Sequence, residues 1–182
     1  MLSAHLDGHA LAESALDNAS GVATALAVLR ACAPRVARSA RGLRVCVFSA
    51  EEWALAGSKQ YLDAMPQGER AAIALNINLD TVGGDSQLTA LTSEFSELEG
   101  FVRQAGAEIG IHAPMMANSD HYNFARHGIP ALRLVAGFER PGSNVRYILT
   151  PADTRDKVTP AELENAARVA EKLVLRALET ST

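Results

Sequence analysis

The sequence predicts an α/β protein, a three-layer α/β/α sandwich on a mixed, mostly parallel sheet. Two observations carry this. Apolar, β-rich runs alternate with stretches of helical periodicity along the chain. The run GLRVCVFSA, residues 42–50, is almost wholly apolar, as a strand covered on both faces should be. A chain of 182 residues fits one domain, 1–182, with a sizeable core.

The elements follow in order. MLSAHLD reads as the end of a strand, and NASGVATALAVLRACA as a helix with Asn18 or Ser20 near its start. After the strand 42–50, EEWALAGSKQYLDAM turns into a helix. AAIALNINLD is the next strand, DTVGGD a tight exit from it, and QLTALTS a further strand. SELEGFVRQAGAEIG has the pattern of an amphipathic helix over residues 96–110. SDHYNFARHG is a short helix opened by Ser119 or Asp120 and stopped by Gly128. IPALRLVAG is a strand. The closing helix, 159–179, carries Thr159 at the N-cap, Pro160 in the first position and Glu162 or Glu164 in the first turn.

Bulk properties exclude several classes. A net charge of −4 without a basic run argues against nucleic acid as a partner. No apolar stretch reaches the roughly 18 residues that span a bilayer, so no membrane partner is expected. The opening residues lack the basic and long apolar regions of a secretion signal, which makes the cytoplasm the default location. The two cysteines, Cys32 in a helix and Cys46 in a strand, are expected as buried thiols rather than a disulfide.

The polar outliers fall at one kind of place. His5 and Asp7 end a strand, Asp17 precedes a helix, Glu51 and Glu52 end a strand, and Asp80 ends another. In open α/β sheets the carboxyl ends of strands are where ligands bind. One aspartate there is an ordinary turn or cap residue. Five acids and a histidine on one edge would repel strongly without a cation.

The chemistry fits a metal. His5 offers an imidazole nitrogen, and Asp17 and Glu52 offer carboxylate oxygens. Three such ligands and a water make an open zinc site. Asp7, two residues from His5, faces the same way in a strand and can hold the other imidazole N–H. Glu51, next to Glu52, can take a proton from the water.

Six blocks, AHLD, LDNASGVA, FSAEEWALAGSKQY, NINLDTVG, SDHYNFARHGIPAL and TPADTRDKV, resemble in that order the co-catalytic dizinc aminopeptidases. That family includes bacterial leucyl aminopeptidases, with glutamate carboxypeptidase II and glutaminyl cyclases as relatives. The resemblance covers essentially the whole chain. It implies that His5 binds the second metal with Asp7 orienting it, and that Asp17 bridges both metals. It implies Glu51 as general base and acid, Glu52 as the second metal's remaining ligand and Asp80 as a first-metal ligand. It also implies a cis Asp17–Asn18 bond, one or two zinc ions as cofactor, and hydrolysis of an amino-terminal peptide bond or related amide.

Two departures stand out. The family's last ligand is a histidine directly before Thr-Pro, and here Leu149 holds that position. A single-metal hydrolase is one outcome. A second metal held by His9, His121, Asp153 or the Thr150 hydroxyl is another, although each of these alone reads as an ordinary loop, turn or helix residue. The second departure is at the front, where the family's first strands are expected to be lacking. An exposed sheet edge then predicts self-association. Tyr122, Phe124 and Phe138 are candidate pocket walls, or core.

The competing reading is a catalytically impaired relative that uses the fold for binding. A plain phosphate-binding domain fits poorly, since Gly83-Gly84 follows a strand without a GxGxxG or P-loop lysine.

Overall fold

The structure is a computed structural model that describes residues 1–179. The last three positions of the expected domain range 1–182 lie outside the described residues.

Six strands form one sheet: β1 (Leu2–His5), β2 (Val45–Phe48), β3 (Asn76–Leu79), β4 (Leu88–Leu91), β5 (Gly110–His112) and β6 (Ala131–Ala136). Their order is β2-β1-β3-β6-β4-β5. The strands β2, β1, β3 and β6 run parallel, while β4 pairs antiparallel with β6 and parallel with β5. The sheet is therefore mixed and mostly parallel, as predicted.

The helices are α1 (Ser20–Val36), α2 (Ala56–Ala64), α3 (Gln67–Ala71), α4 (Ser96–Gln104), α5 (His121–Arg126) and α6 (Pro160–Glu179). On one face, α1 packs along α6 and α4 joins them. That face buries Val28, Cys32, Leu98, Val102 and Leu173 with the apolar side chains of β3 and β6. On the other face a smaller cluster unites Leu62 of α2, Phe124 of α5 and Phe48 of β2. Two apolar clusters on opposite faces make the three layers.

Several expectations need correction. The strand containing Val45–Phe48 is not covered on both faces. It is an edge strand, and Val47 is 39% exposed. Cys46 is accordingly only half-buried, whereas Cys32 is buried, and neither forms a disulfide. The helix predicted from Glu51 starts at Ala56, because Ala54 and Leu55 both take left-handed backbone angles. The helix predicted over 96–110 stops at Gln104, and its last residues lead into β5. Gly106, with φ +65°, makes that break.

The start of α6 is as read. Thr159 Oγ1 accepts the Glu162 N–H at 3.3 Å, and Glu162 Oε2 accepts the Thr159 N–H at 2.8 Å. The same Glu162 oxygen accepts the Gly84 N–H at 3.2 Å, which ties the cap to the loop after β3.

Candidate metal centre

β1 lies between β2 and β3, so the loops leaving these strands converge at one edge. His5 ends β1 and is fully buried. Its Nε2 lies 2.9 Å from Asp17 Oδ1 and 3.5 Å from Asp80 Oδ1. Its Nδ1 lies 3.0 Å from the Asp7 carbonyl oxygen and 3.5 Å from Asp7 Oδ1. The imidazole is thus gripped on both sides by Asp7, Asp17 and Asp80.

The Asp7 carboxylate does a second job. Its Oδ1 accepts the Glu51 N–H and its Oδ2 the Glu52 N–H, each at 3.1 Å. One side chain thereby fixes the backbone that presents both glutamates. The closer contact to His5 is from the main chain of Asp7, not from its carboxylate as the sequence suggested.

Asp17 sits in an irregular π-type turn, Ala15–Ala19, and its bond to Asn18 is cis. Asn18 anchors that turn. Its Oδ1 accepts the N–H groups of Gly21 and Thr81, and its Nδ2 donates to the Leu79 carbonyl. The approach is so close that a Cβ on Gly21 would meet Asn18 Oδ1 and the Leu79 carbonyl oxygen at 2.3 Å each. From the far side, Asp153 accepts the N–H groups of Leu16 and Asp17 at 2.7 and 3.1 Å. Asp153 is therefore committed to holding the turn, the ordinary role weighed against a ligand role for it.

The sequence reading grouped His5 with Asp17 and Glu52. The geometry places Asp80, not Glu52, beside His5 Nε2. Ligand atoms of His5, Glu51 and Asp80 lie within 4.8 Å of one another. Glu52 is half-buried with Oε1 shielded from solvent, and that oxygen makes no hydrogen bond among the described residues. Leu149 has φ +58° and is half exposed, and it offers no donor atom.

Electrostatics set the proton inventory. Burial pushes the Glu51 carboxyl up to about 8, and the charge of Asp80 adds to this. Burial raises Asp17 and Glu52 as well, and takes Asp120 up to about 6. Burial disfavours a charged His5, but hydrogen bonds to Asp17 and Asp80 outweigh it and bring the imidazole to about 11. Burial likewise opposes ionisation of Asp80, but Arg133 and His5 hold it well below the usual carboxylate range. Burial, reinforced by Arg133, drops His121 to about 3 and leaves it neutral.

The donor set fits a divalent cation. Buried oxygens of Asp17, Asp80 and Glu52 and the neutral form of His5 are hard-to-borderline ligands. Without a cation, Arg133 and the protons held by His5 and Glu51 offset the surplus negative charge.

Two residues escaped the sequence reading. Arg133 stands in the middle of β6 with 7% exposure and pairs with Asp80 Oδ2 at 3.3 Å. A lone arginine within IPALRLVAG was the available signal, since buried arginines are rare unless paired. Asp120 was read as a helix cap, yet its side chain caps nothing and is fully buried. Of the candidate pocket walls, Phe124 is core, packed against Phe48 at 6.1 Å between ring centroids. Phe138 packs against His112 with the rings tilted by 59°, and Tyr122 lies under Arg126.

Known proteins share this fold. The chain is 25% identical to aminopeptidase YwaD of Bacillus subtilis over 187 residues, 98% of this chain and 41% of that protein. The zinc aminopeptidase BSAP from Bacillus subtilis superposes with a TM-score of 0.87 at 25% identity, over 99% of this chain and 46% of that one. An aminopeptidase from Aneurinibacillus sp. strain AM-1 gives a TM-score of 0.75 at 27% identity, over 100% of this chain and 45% of that one. The chain thus spans less than half the length of these relatives. The profile of peptidase family M28 matches residues 1–174, and with nearly its whole length so matched the chain belongs to that family.

Proposed function

We propose that this chain is the metal-binding core of a zinc-dependent exopeptidase of the aminopeptidase type, acting on an amino-terminal peptide bond or a related amide. One observation carries the reading. His5 Nε2, Asp17 Oδ1 and Asp80 Oδ1 converge at 2.9 and 3.5 Å, with the buried Glu51 beside them. The zinc aminopeptidase named above supports the choice of metal.

His5, Asp17 and Asp80 would hold one ion, and Asp17 with Glu52 would offer oxygens for another. Bound there, a divalent ion supplies a Lewis acid for the scissile carbonyl and lowers the pKa of a water. Glu51 takes the proton of the attacking water on its carboxylate and returns it to the departing amine nitrogen. Asp7 keeps Glu51 in place through its backbone N–H. Asp17 is kept in place by Asp153 and by the anchored Asn18. Self-association along β2, an edge strand, belongs to the same reading; a clean monomer in concentrated sedimentation runs would remove it.

The test is elemental analysis of purified protein, followed by hydrolysis of aminoacyl anilides by wild type and Glu51→Gln. Bound zinc and turnover lost in the variant support the reading. Leu149 favours a second reading, a relative that only binds its ligand, because a leucine stands where the family resemblance requires a donor. Zinc bound tightly with no hydrolysis by the wild type would select that reading.

A further inference from the structure

Arg133 sits opposite Asn78 in the β3–β6 register, two residues before Asp80. Its Nη1 donates to the Asn118 carbonyl at 2.9 Å. Its Nε and Nη2 each reach the Asp80 carbonyl at 3.4 Å, and Nη2 lies 3.3 Å from Asp80 Oδ2. The guanidinium thus grips Asp80 by main chain and side chain together and ties it to the segment that leads into α5. The neighbours of Arg133 along β6, Leu132 and Leu134, are fully buried and apolar. A cation in that setting is held for its partner rather than for packing.

The two oxygens of Asp80 are divided. Oδ2 faces Arg133. Oδ1 accepts the Thr81 hydroxyl at 3.1 Å and lies 3.5 Å from His5 Nε2. A carboxylate can ligate a cation with one oxygen or with both. A guanidinium committed to one of them decides between these modes.

We propose that Arg133 is the positioning residue of the candidate metal centre: it engages Asp80 Oδ2, so that Asp80 presents only Oδ1 to a divalent cation beside His5 Nε2. The inference rests on the metal reading given above and adds a residue to it. Partners of ligating carboxylates set ligand orientation, and their loss costs about 10–100-fold in metal affinity. Lysine cannot replace this arginine, because a single ammonium lacks the planar fork that reaches the Asn118 carbonyl, the Asp80 carbonyl and Oδ2 at once.

The experiment measures zinc affinity by chelator competition for wild type, Arg133→Lys, Asp80→Asn and the double variant. The cobalt(II) absorption spectrum of each reports coordination without relying on activity. Lysine keeps a charge beside Asp80, so folding is preserved better than with an apolar substitute. Arg133→Lys should weaken zinc binding by about 10–100-fold and alter the cobalt bands. In the Asp80→Asn background the same change should shift affinity by less than about twofold, because Arg133 acts through Asp80. Wild-type affinity and spectrum in Arg133→Lys would overturn the proposal, as would equal losses in both backgrounds. A zinc-soaked crystal of the wild-type protein tests it without any variant. Ligation through Oδ1 alone with Arg133 on Oδ2 supports it, and two-oxygen chelation with Arg133 displaced overturns it. A wild-type protein that takes up no zinc would instead remove the metal reading itself, and this inference with it.

Discussion

Asp153 accepts the main-chain N–H of Asp17 at 3.1 Å across 136 residues of chain. It also accepts the Leu16 N–H at 2.7 Å and is itself buried. Asp153→Ala would leave both donors without this acceptor and free the turn that carries Asp17. Such a loss should cost about 2–4 kcal/mol of stability and weaken zinc binding. Thermal melts and chelator competition on the variant check both effects. A variant with the wild-type melting temperature would show that the turn does not need this latch.

In the function proposed above Glu51 transfers the proton, while His5, Asp17 and Asp80 hold the ion. Glu51→Gln should therefore keep bound zinc and lower kcat by about 10²–10⁴-fold. Metal analysis and turnover on the same sample separate the two. Retained turnover would take Glu51 out of the chemistry.

The metal-free protein should lose stability as pH rises. Folded Glu51 keeps its proton to about 8, and folded His5 keeps its own to about 11. The unfolded chain releases them near 4.5 and 6.5. Between these limits the folded state binds more protons, so the unfolding free energy falls as pH increases. Asp120 adds to this between 3.8 and about 6. Asp80, His121 and the Met1 amino group have the opposite sign: the stability lent by Asp80 is lost only in acid, whereas His121, lowered from 6.5 to about 3, and Met1, lowered from 8.0 to about 6, offset the loss below about pH 7. Melting temperatures in chelator should drop from about pH 7 to about pH 9, where Glu51 and His5 outweigh Met1, and zinc should restore most of the loss at the alkaline end. A melting temperature that climbs over this range would contradict the assignment.

The proposed function makes Leu149 the position that decides between one bound ion and two. Wild type should hold about one zinc per chain, and Leu149→His about two, because three protein ligands suffice for an open site. Two ions in wild type would point to a substitute donor, with His9 the first to mutate.

Several candidate site residues were legible because each is a polar group that ends an apolar run. His5, Glu51 and Asp80 could be placed at strand ends from the pattern alone, and strand ends share an edge. Which of them would touch was not legible. Asp80 meets His5 because β3 is a neighbour of β1, and sheet order is a tertiary property that no local pattern encodes. The same holds for Arg133, whose role depends on β6 lying beside β3. The short strand β5 was hidden because three residues after a helix carry too little periodicity to stand out. The late start of α2 was hidden by Ala54 and Leu55, both good helix formers that take left-handed angles in the turn before it.

The division of labour along the chain has a consequence for biosynthesis. Every acid facing the cation position, from Asp7 to Asp80, leaves the ribosome before Arg133 and Asp153, the groups that restrain two of them. Translation delivers amino-terminal segments first, at about 5–20 residues per second. For several seconds the nascent chain carries a crowd of carboxylates with neither their guanidinium nor their latch. An ion held in the arrangement proposed above therefore has to wait until Arg133 and Asp153 have been made.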